Sequence, residues 1–422
     1  MVSHDTEVVR SDNPLETPTP CEPMNSISES IPRSELIHRI ERLQQRLRDD
    51  SMDAAMVLQN VDRFYFAGTI QQGQLYIPAQ GAPILFIRKS AERARSESAL
   101  DEVVPIKSPR RIPGLLQDRG LPAPATLGME LDVLPVNLYR TFQELFDGCR
   151  ITDVSPAIRR VRSVKSAYEI ERIRKATELA DALLGRVGDM IEAGMTEMDL
   201  AGRVEGEARR MGHQGIVRMR LWGSEVFYGH LMAGPGAAVP SFLASPTGGV
   251  GPGPAVAQGA SMAVIQRHQP ILVDYTFAVD GYLSDQTRIF SLGRLPAALR
   301  DGYAAMVTVQ ETVKDAARAG VQAGEVYEKA LNQAESLGVG DRFMGSGPDR
   351  IRFVGHGVGL ELDELPFLAH GQKTLLEAGM TVAVEPKLII PDVGVVGIEN
   401  THLVTGDGLE TLNRFPDEII EI

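Results

Sequence analysis

A predicted β-hairpin with one acid in each strand constrains the fold more than any other feature of this sequence. Strand-like runs at 271–277 and 282–290 flank an Asp-Gly pair at 280–281, and such a pair between apolar runs is a strong hairpin signal. Folding this hairpin places Asp274 and Asp285 opposite one another or one pleat apart. Both acids lie in apolar sequence, so we expect both to be buried. Because buried like charges repel and their desolvation adds several kcal/mol, a divalent cation between them is the simplest compensation.

A second pair of acids follows the same pattern nearer the C-terminus. Strands are predicted at 381–389 and 395–404, with a turn at 391–394 between them. Glu385 and Glu399 lie in these runs, fourteen residues apart. The hairpin would therefore present two carboxylates from neighbouring strands.

One histidine is set apart by its neighbours. A predicted strand at 351–356 ends in His356, which lies between Gly355 and Gly357, and the glycines leave room for a second group to approach closely. Four carboxylates and one imidazole suit two divalent ions, and the imidazole favours manganese, iron, cobalt or zinc over calcium. Two ions with a bridging water would generate hydroxide near neutral pH and polarise a carbonyl.

The same acids allow a simpler interpretation. They could cap turns or form salt bridges with Arg288 or Lys387. The spacing of the residues leaves both interpretations open.

Helices and strands alternate along the chain, which predicts a mixed α/β (α+β) fold. The first segment is rich in Pro, Ser, Thr and Glu without hydrophobic period, which is typical of a disordered tail. A small α/β domain with a buried sheet follows, and a capping-box signature at Ser166 and Glu169 then begins a long amphipathic helix. The predicted parts are a tail at 1–32, an N-terminal domain at 33–160 and a catalytic domain at 161–422.

Further helices and one long loop are predicted in the C-terminal half. A second capping signature, at Thr196 and Asp199, begins another helix. Residues 240–259 are too dense in Gly and Pro to form a regular element and are predicted to be a loop. Loops of that length are usually functional or disordered. Two more helices are predicted at 296–319 and 324–337.

Composition argues against several classes of protein. The chain has 422 residues and a net charge of −13, which disfavours binding to nucleic acid or to an anionic membrane. No stretch approaches the roughly 18 apolar residues that a membrane span needs, and the N-terminus does not resemble a secretory signal. Cys21 and Cys149 are interpreted as free thiols in a reducing cytoplasm rather than as a disulfide or a zinc site.

At these acids and the histidine, the sequence resembles the pita-bread metallopeptidases, which include methionine aminopeptidase, aminopeptidase P, prolidase and the metal-free creatinase. The resemblance covers roughly residues 34–422. It implies a creatinase-type N-terminal domain followed by a pita-bread catalytic domain. All five ligand positions of the family are filled, in order and by the right residue types: Asp274, Asp285, His356, Glu385 and Glu399.

The resemblance implies two divalent ions, with manganese favoured and cobalt, zinc or iron as alternatives. Asp285 and Glu399 would bridge the ions. Asp274 would hold one ion, and His356 and Glu385 would hold the other. Glu385 would also take a proton from the attacking water as general base. The implied activity is hydrolysis of Xaa-Pro bonds in short peptides, by a dipeptidase or an aminopeptidase, and the implied assembly is a homodimer.

Three positions around the ligands depart from the family pattern. Asp363 stands where Xaa-Pro members carry a second histidine, seven residues after His356, and Gly397 stands where they carry an arginine. The histidine that usually precedes the first aspartate is missing from the loop at 240–259. His230 is the best candidate to replace a missing histidine, with a partly exposed structural role as the alternative. Asp363 could anchor a substrate amine or be a turn residue.

Four further histidines and the one tryptophan are assigned roles outside the site. Trp222 is interpreted as a packing residue. Four histidines are interpreted as structural or surface residues: His213, His268, His370 and His402.

Three functions remain in competition. The leading one is a dinuclear metal-dependent peptidase of the Xaa-Pro type. The second is a dinuclear metalloenzyme acting on a non-peptide small molecule, such as an amidino or sulfonium compound, and the loss of the usual histidines motivates it. The third is a non-catalytic binding module on the same fold. Relatives of that third kind typically lose ligands, and this chain has all five.

Overall fold

The computed structural model describes residues 30–422 of the 422-residue chain. Most of the predicted tail at 1–32, and Cys21 with it, lies outside the described residues. Cys149 is half-buried and has a free thiol. No helix between residues 30 and 422 is long and apolar enough to cross a membrane.

The first part of the described chain is built around a mixed six-stranded sheet with strand order β4-β3-β2-β1-β5-β6. Its elements are α1 (Arg33–Asp49), β1 (Ala54–Val57), α2 (Asn60–Ala67), β2 (Gly73–Pro78), β3 (Ile84–Ile87), α3 (Ala91–Glu97), β4 (Val103–Pro105), α4 (Ile112–Gln117), β5 (Thr126–Met129), α5 (Val136–Leu145), β6 (Arg150–Asp153) and α6 (Ser155–Ser163). Alternate residues of β1 enter two apolar clusters, Ala55 and Val57 on one face and Ala54 and Met56 on the other. Both faces of this sheet are therefore covered, as expected for a buried sheet.

The second part combines long helices with three sheets. Its elements are α7 (Ala167–Val187), α8 (Glu197–Arg210), β7 (Gly229–Ala233), β8 (Ile271–Val279), β9 (Tyr282–Ser291), α9 (Ala297–Ala316), α10 (Ala323–Ser336), β10 (Phe353–Gly357), β11 (Glu364–Ala369), β12 (Thr381–Val384), β13 (Lys387–Ile390), β14 (Gly394–Gly397), β15 (Asn400–Val404), β16 (Leu409–Thr411) and β17 (Ile420–Glu421). The strand orders are β17-β9-β8-β7, β11-β10-β12-β15-β16 and β13-β14.

Both predicted capping boxes form and begin α7 and α8. The helices predicted at 296–319 and 324–337 are present as α9 and α10. The predicted loop at 240–259 contains no helix or strand, which confirms the interpretation of its Gly and Pro content. The domain boundary after residue 160 stays a prediction; it falls within α6.

The hairpin with the two aspartates forms as predicted. Val279 pairs with Tyr282, so the connection has two residues. These residues, Asp280 and Gly281, have φ values of 51° and 89°. Positive φ at both positions is what a tight turn between twisted strands requires, and Asp-Gly adopts it readily.

The hairpin with the two glutamates is broken where continuous strands were predicted. The run 381–389 divides into β12 and β13 at Glu385 and Pro386, and the run 395–404 divides into β14 and β15 just before Asn400. Proline has no backbone N–H and cannot continue a ladder of hydrogen bonds through that position. The break leaves Glu385 and Glu399 between the two-stranded and the five-stranded sheets rather than inside either one.

Trp222 does not pack, and that interpretation is wrong. Its side chain is 99% exposed. It lies in the irregular stretch between α8 and β7, where no helix or strand imposes a buried face.

His402 in β15 gives a prediction about acid stability. Burial, with Lys314 and Arg288 nearby, lowers its pKa to about 3, and neither ring nitrogen has a hydrogen-bond partner within residues 30–422. The unfolded pKa is about 6.5, so the unfolded chain binds more protons between pH 6.5 and 3. Stability therefore falls as the pH is lowered through that window.

We expect His402→Leu to gain stability relative to wild type as the pH falls. The gain between pH 7 and pH 5 should be about 2 kcal/mol, measured by urea unfolding at both values. His38→Leu, on the exposed side of α1, is the control. An equal pH dependence in wild type and His402→Leu would contradict the prediction.

Candidate metal centre

The two aspartates lie on the same face of the β8–β9 hairpin. Asp285 is opposite Thr276, so Asp274 is one pleat away along β8, as predicted. The side chain of Asp285 is 7% exposed and that of Asp274 is 14% exposed. Thr276 donates from Oγ1 to Asp285 Oδ1 at 3.1 Å. The other oxygen, Asp285 Oδ2, faces His356.

His356 reaches the aspartates from the neighbouring five-stranded sheet, where it pairs with Ala383. A Cβ at Gly355 would lie 2.3 Å from the Ala383 carbonyl oxygen, and a Cβ at Gly357 would lie 2.3 Å from that of Leu365. The strands on both sides can approach only because these positions are glycine, as the sequence predicts.

The backbone carbonyl of the next residue, Gly357, orients the imidazole of His356, and Nε2 points toward the carboxylates. Its Nδ1 lies 3.2 Å from the Gly357 carbonyl oxygen. A carbonyl acceptor places the proton on Nδ1 and leaves Nε2 available as a metal ligand. Nε2 lies 3.6–3.9 Å from one oxygen of each of three carboxylates: Glu385 Oε1, Asp285 Oδ2 and Glu399 Oε1.

One set of donors in this cluster fits a divalent ion. Asp285, His356 and Glu399 each offer a ligand atom, and these atoms lie within 4.8 Å of one another. Glu399 Oε1 is buried and has no hydrogen-bond partner among the described residues. A buried carboxylate oxygen without a donor is costly unless a cation binds it. Two carboxylates and an imidazole are also a ligand set that manganese, iron, cobalt and zinc accept.

Lys387, which the sequence offered only as a salt-bridge partner of the acids, reaches the other side of the site. Lys387 Nζ lies 2.8 Å from Asp274 Oδ2 and from Glu385 Oε2, and 3.0 Å from Glu399 Oε2. The interpretation that the acids form salt bridges therefore holds for Lys387, whereas Arg288 contacts the backbone oxygen of Glu399. The sequence contained a signal for this contact: Glu385 and Lys387 are two residues apart, and such residues in an extended chain point to the same side.

Burial and mutual repulsion perturb the ionisation of the cluster. Burial and two nearby acids raise the pKa of Asp285 well above its ordinary value. Burial raises the pKa of Glu399 to about 7, although the Lys387 ammonium acts in the opposite direction. Burial alone would lower the pKa of His356, but neighbouring carboxylates, Asp363 first, raise it to about 9. The cluster therefore favours a bound positive charge.

The two predicted substrate residues lie beside this centre. His230 is opposite Asp274 in β7 and is buried rather than partly exposed, because Gln258 of the Gly/Pro loop covers it, with Gln258 Oε1 3.1 Å from His230 Nε2. Asp363 has a φ of 62°, a conformation typical of turns. Its Oδ1 lies 3.5 Å from His356 Nδ1.

A cavity that is open to solvent is bounded by the acids, both histidines and Asp363. A few polar groups beside apolar walls are the usual lining of a site for a small molecule or a short peptide. The rest of its wall is largely apolar and includes Met219, Leu221, Val226, Leu243, Phe353 and Leu362.

Comparison with known families identifies the chain. The model of metallopeptidase family M24 matches residues 171–406, more than half of the sequence. The chain belongs to this family. The model of the Creatinase/Prolidase N-terminal domain matches residues 39–164 of this M24 peptidase. The predicted family, the predicted two-part fold and the prediction of a hydrolase are confirmed, and the cluster around His356 is its candidate site for a divalent metal.

Individual relatives match the M24 peptidase along most of its length. The Xaa-Pro dipeptidase of Pyrococcus furiosus is 29% identical over 386 residues, which are 90% of this chain and 99% of the relative. The solved prolidase from Pyrococcus horikoshii has a TM-score of 0.74 and 25% identity, with 90% and 99% of the two chains covered. The Xaa-Pro dipeptidase from Bacillus anthracis has a TM-score of 0.78 at 24% identity, with 92% and 100% covered, and supports the fold alone.

Proposed function

We propose that this M24 peptidase hydrolyses Xaa-Pro bonds of short peptides with a divalent ion held by Asp285, His356 and Glu399. The observation that carries the proposal is Glu399 Oε1, which is buried, has no hydrogen-bond partner within residues 30–422 and faces His356 Nε2 at the cavity. The relatives named Xaa-Pro dipeptidase and prolidase support the peptide class. When bound, the ion would supply Lewis-acid polarisation of the peptide carbonyl and activation of water near neutral pH.

Glu385 is the proposed general base. Its Oε2 is held by Lys387 at 2.8 Å, and its Oε1 lies 3.6 Å from His356 Nε2. One oxygen is thus anchored while the other faces the cavity, which is the arrangement that positions a carboxylate to take a proton from water. Burial raises the pKa of Glu385, and a higher pKa makes its carboxylate a stronger base.

Two further residues are proposed to contact the substrate. Asp363 lines the cavity with its side chain 20% exposed, so its carboxylate can pair with the α-ammonium group of a peptide. Burial lowers the pKa of His230, which keeps its imidazole neutral; Nε2 faces the Gln258 amide oxygen, so Nδ1 is the ring nitrogen that can accept a hydrogen bond from a substrate N–H.

Manganese is the proposed ion, since a carboxylate-rich site with one imidazole suits it. A second ion, which the family resemblance predicts with Asp274 as its ligand and Asp285 and Glu399 as bridges, would compete with Lys387 for Asp274 Oδ2 and Glu399 Oε2. A homodimer and a cytoplasmic location remain predictions.

A dipeptide panel tests the proposed activity. We expect the full-length, manganese-loaded protein to cleave Xaa-Pro dipeptides with a kcat/KM about tenfold or more above that for Xaa-Ala dipeptides with the same first residue. Removing the metal with a chelator should abolish hydrolysis, and adding manganese back should restore it.

The outcomes of the panel separate the three candidate functions. Equal rates on Xaa-Pro and Xaa-Ala would contradict proline specificity. A metal-loaded protein that cleaves no peptide would overturn the proposal. Turnover of a cationic amidino or sulfonium compound would then favour the non-peptide enzyme, for which Asp363 offers a negative charge in the cavity. If the protein turned over none of the tested peptides or small molecules, the binding module would be favoured.

A further inference from the structure

The Lys387 ammonium lies inside the acid cluster rather than at its edge. The side chain is 1% exposed, and Nζ lies 2.8–3.0 Å from one oxygen each of Asp274, Glu385 and Glu399. These distances are those of charge-assisted hydrogen bonds, and an ammonium has three protons to donate. Every proton of this ammonium therefore has a carboxylate acceptor.

Two of the acids divide their oxygens between two positions. Glu385 Oε1 and Glu399 Oε1 face His356 Nε2 at 3.6 Å and 3.9 Å. The Oε2 atoms of the same residues face Lys387 Nζ. The cluster thus has a position for positive charge beside His356 and a second position at the ammonium.

The backbone opposite Lys387 is shaped for this side chain. Lys387 pairs with Gly397 across the β13–β14 hairpin. A Cβ at Gly397 would lie 2.8 Å from both Cα and Cγ of Lys387 and 2.6 Å from the Pro386 carbonyl oxygen. A larger residue at 397 would therefore displace the lysine, and the two residues act as a pair.

We propose that the Lys387 ammonium takes the second cation position of the centre, so that the protein holds one divalent ion where the family resemblance predicts two. The ion binds beside His356, with Asp285 and Glu399 as its other ligands. This inference rests on the proposed metal-dependent function and specifies its stoichiometry.

Geometry and charge both support a single ion. Metal–oxygen bonds are about 2.0–2.2 Å long, so an ion bound to the three oxygens around Nζ would lie where Nζ lies. Four carboxylates against one ammonium and one divalent ion leave one negative charge. A second divalent ion beside the ammonium would leave one positive charge in a buried site, so a second ion could bind only by displacing the Lys387 ammonium.

Lys387 is a positioning residue in this arrangement. It holds Glu385 Oε2 and Glu399 Oε2, and Thr287 Oγ1 donates to the same Glu399 oxygen at 2.8 Å. The Oε1 atoms are consequently directed toward His356. A covalently attached ammonium holds these oxygens permanently, whereas a weakly bound ion would exchange with solvent.

Metal content tests the proposal on the full chain. Wild type, Lys387→Ala and Lys165→Ala are loaded with excess manganese, desalted, and analysed for ions per chain by mass spectrometry and for Mn(II) coupling by electron paramagnetic resonance. Lys165 is the matched control, because it is also 1% exposed and pairs at 3.2 Å with Glu364, an acid that is not one of the five predicted ligands.

We expect about one ion and an uncoupled Mn(II) spectrum in wild type and Lys165→Ala, and about two ions with a coupled spectrum in Lys387→Ala. Two ions in wild type would overturn this inference. If that protein also hydrolysed Xaa-Pro peptides, the proposed function would still stand. One ion in both wild type and Lys387→Ala would also overturn it. No ion in wild type would overturn the inference and the metal-dependent function together. The wild-type count decides even if Lys387→Ala does not fold.

Discussion

Replacing Asp285 with asparagine is expected to lower kcat/KM on Xaa-Pro dipeptides by about a thousandfold. A bound metal is worth several kcal/mol of transition-state stabilisation, and each 1.4 kcal/mol is a factor of ten in rate. Asp285 Oδ2 faces His356 Nε2 at 3.7 Å, and an asparagine amide there loses the anionic ligand. Metal content by mass spectrometry should fall from one ion per chain to near zero.

Asp280→Asn is the matched control for that substitution. Asp280 lies at the tip of the same hairpin, where it pairs with Lys175 at 2.8 Å and has a φ of 51°. Asparagine tolerates positive φ, so this variant should keep its metal and its activity. If Asp285→Asn kept both the ion and most of its activity, Asp285 would not be a ligand.

Replacing Arg162 with methionine is expected to reduce the free energy of unfolding by about 3–5 kcal/mol, the usual cost of removing one partner of a buried ion pair. Arg162 Nη1 lies 2.6 Å from Asp62 Oδ1 and 2.8 Å from Glu361 Oε2, and Nη2 pairs with Glu364. All four side chains are nearly fully buried. The substitution would leave three buried acids with fewer positive partners.

The effect of Arg162→Met should shrink at acid pH. Burial alone would raise the pKa of Glu364, but Arg162 and Lys165 bring it down to about 2. A depressed carboxyl pKa stabilises the fold above the unfolded value of about 4.5, and this stabilisation is lost as the pH falls toward 2. The difference between wild type and variant in urea unfolding should therefore be larger at pH 7 than at pH 3.

An exposed arginine provides the control for this prediction. Arg33 pairs with Asp101 at 2.5 Å, and the two side chains are 57% and 70% exposed. Surface pairs of this kind contribute about 0–1 kcal/mol, so Arg33→Met should change stability little. Equal effects of the two substitutions would contradict a special role for the buried network.

The buried network and the metal centre are neighbours in the fold. Glu361 and Glu364, which pair with Arg162, flank Asp363, whose carboxylate lies 3.5 Å from His356 Nδ1. Asp62 belongs to α2 of the N-terminal part, so this network ties the two parts of the chain together beside the cavity. We therefore expect Arg162→Met to affect activity as well as stability.

Local signals in the sequence determined the elements that carry the site. The aspartate hairpin follows from an Asp-Gly pair between two apolar runs, because a two-residue turn sets strand register without any distant contact. His356 between two glycines could likewise be read directly, since close approach of strands requires residues without a Cβ. These features, with Glu385 and Glu399, were enough to identify the family.

Tertiary structure alone decided how the site is completed. The contacts of Lys387 depend on where Pro386 ends β12 and on the pairing of Lys387 with Gly397. His230 is buried because a distant loop folds over it, while Trp222 is exposed because no segment within residues 30–422 covers it. Period and propensity act over a few neighbouring residues, whereas these outcomes depend on the packing of separate segments. The number of positive charges among the four acids is therefore a property of the fold.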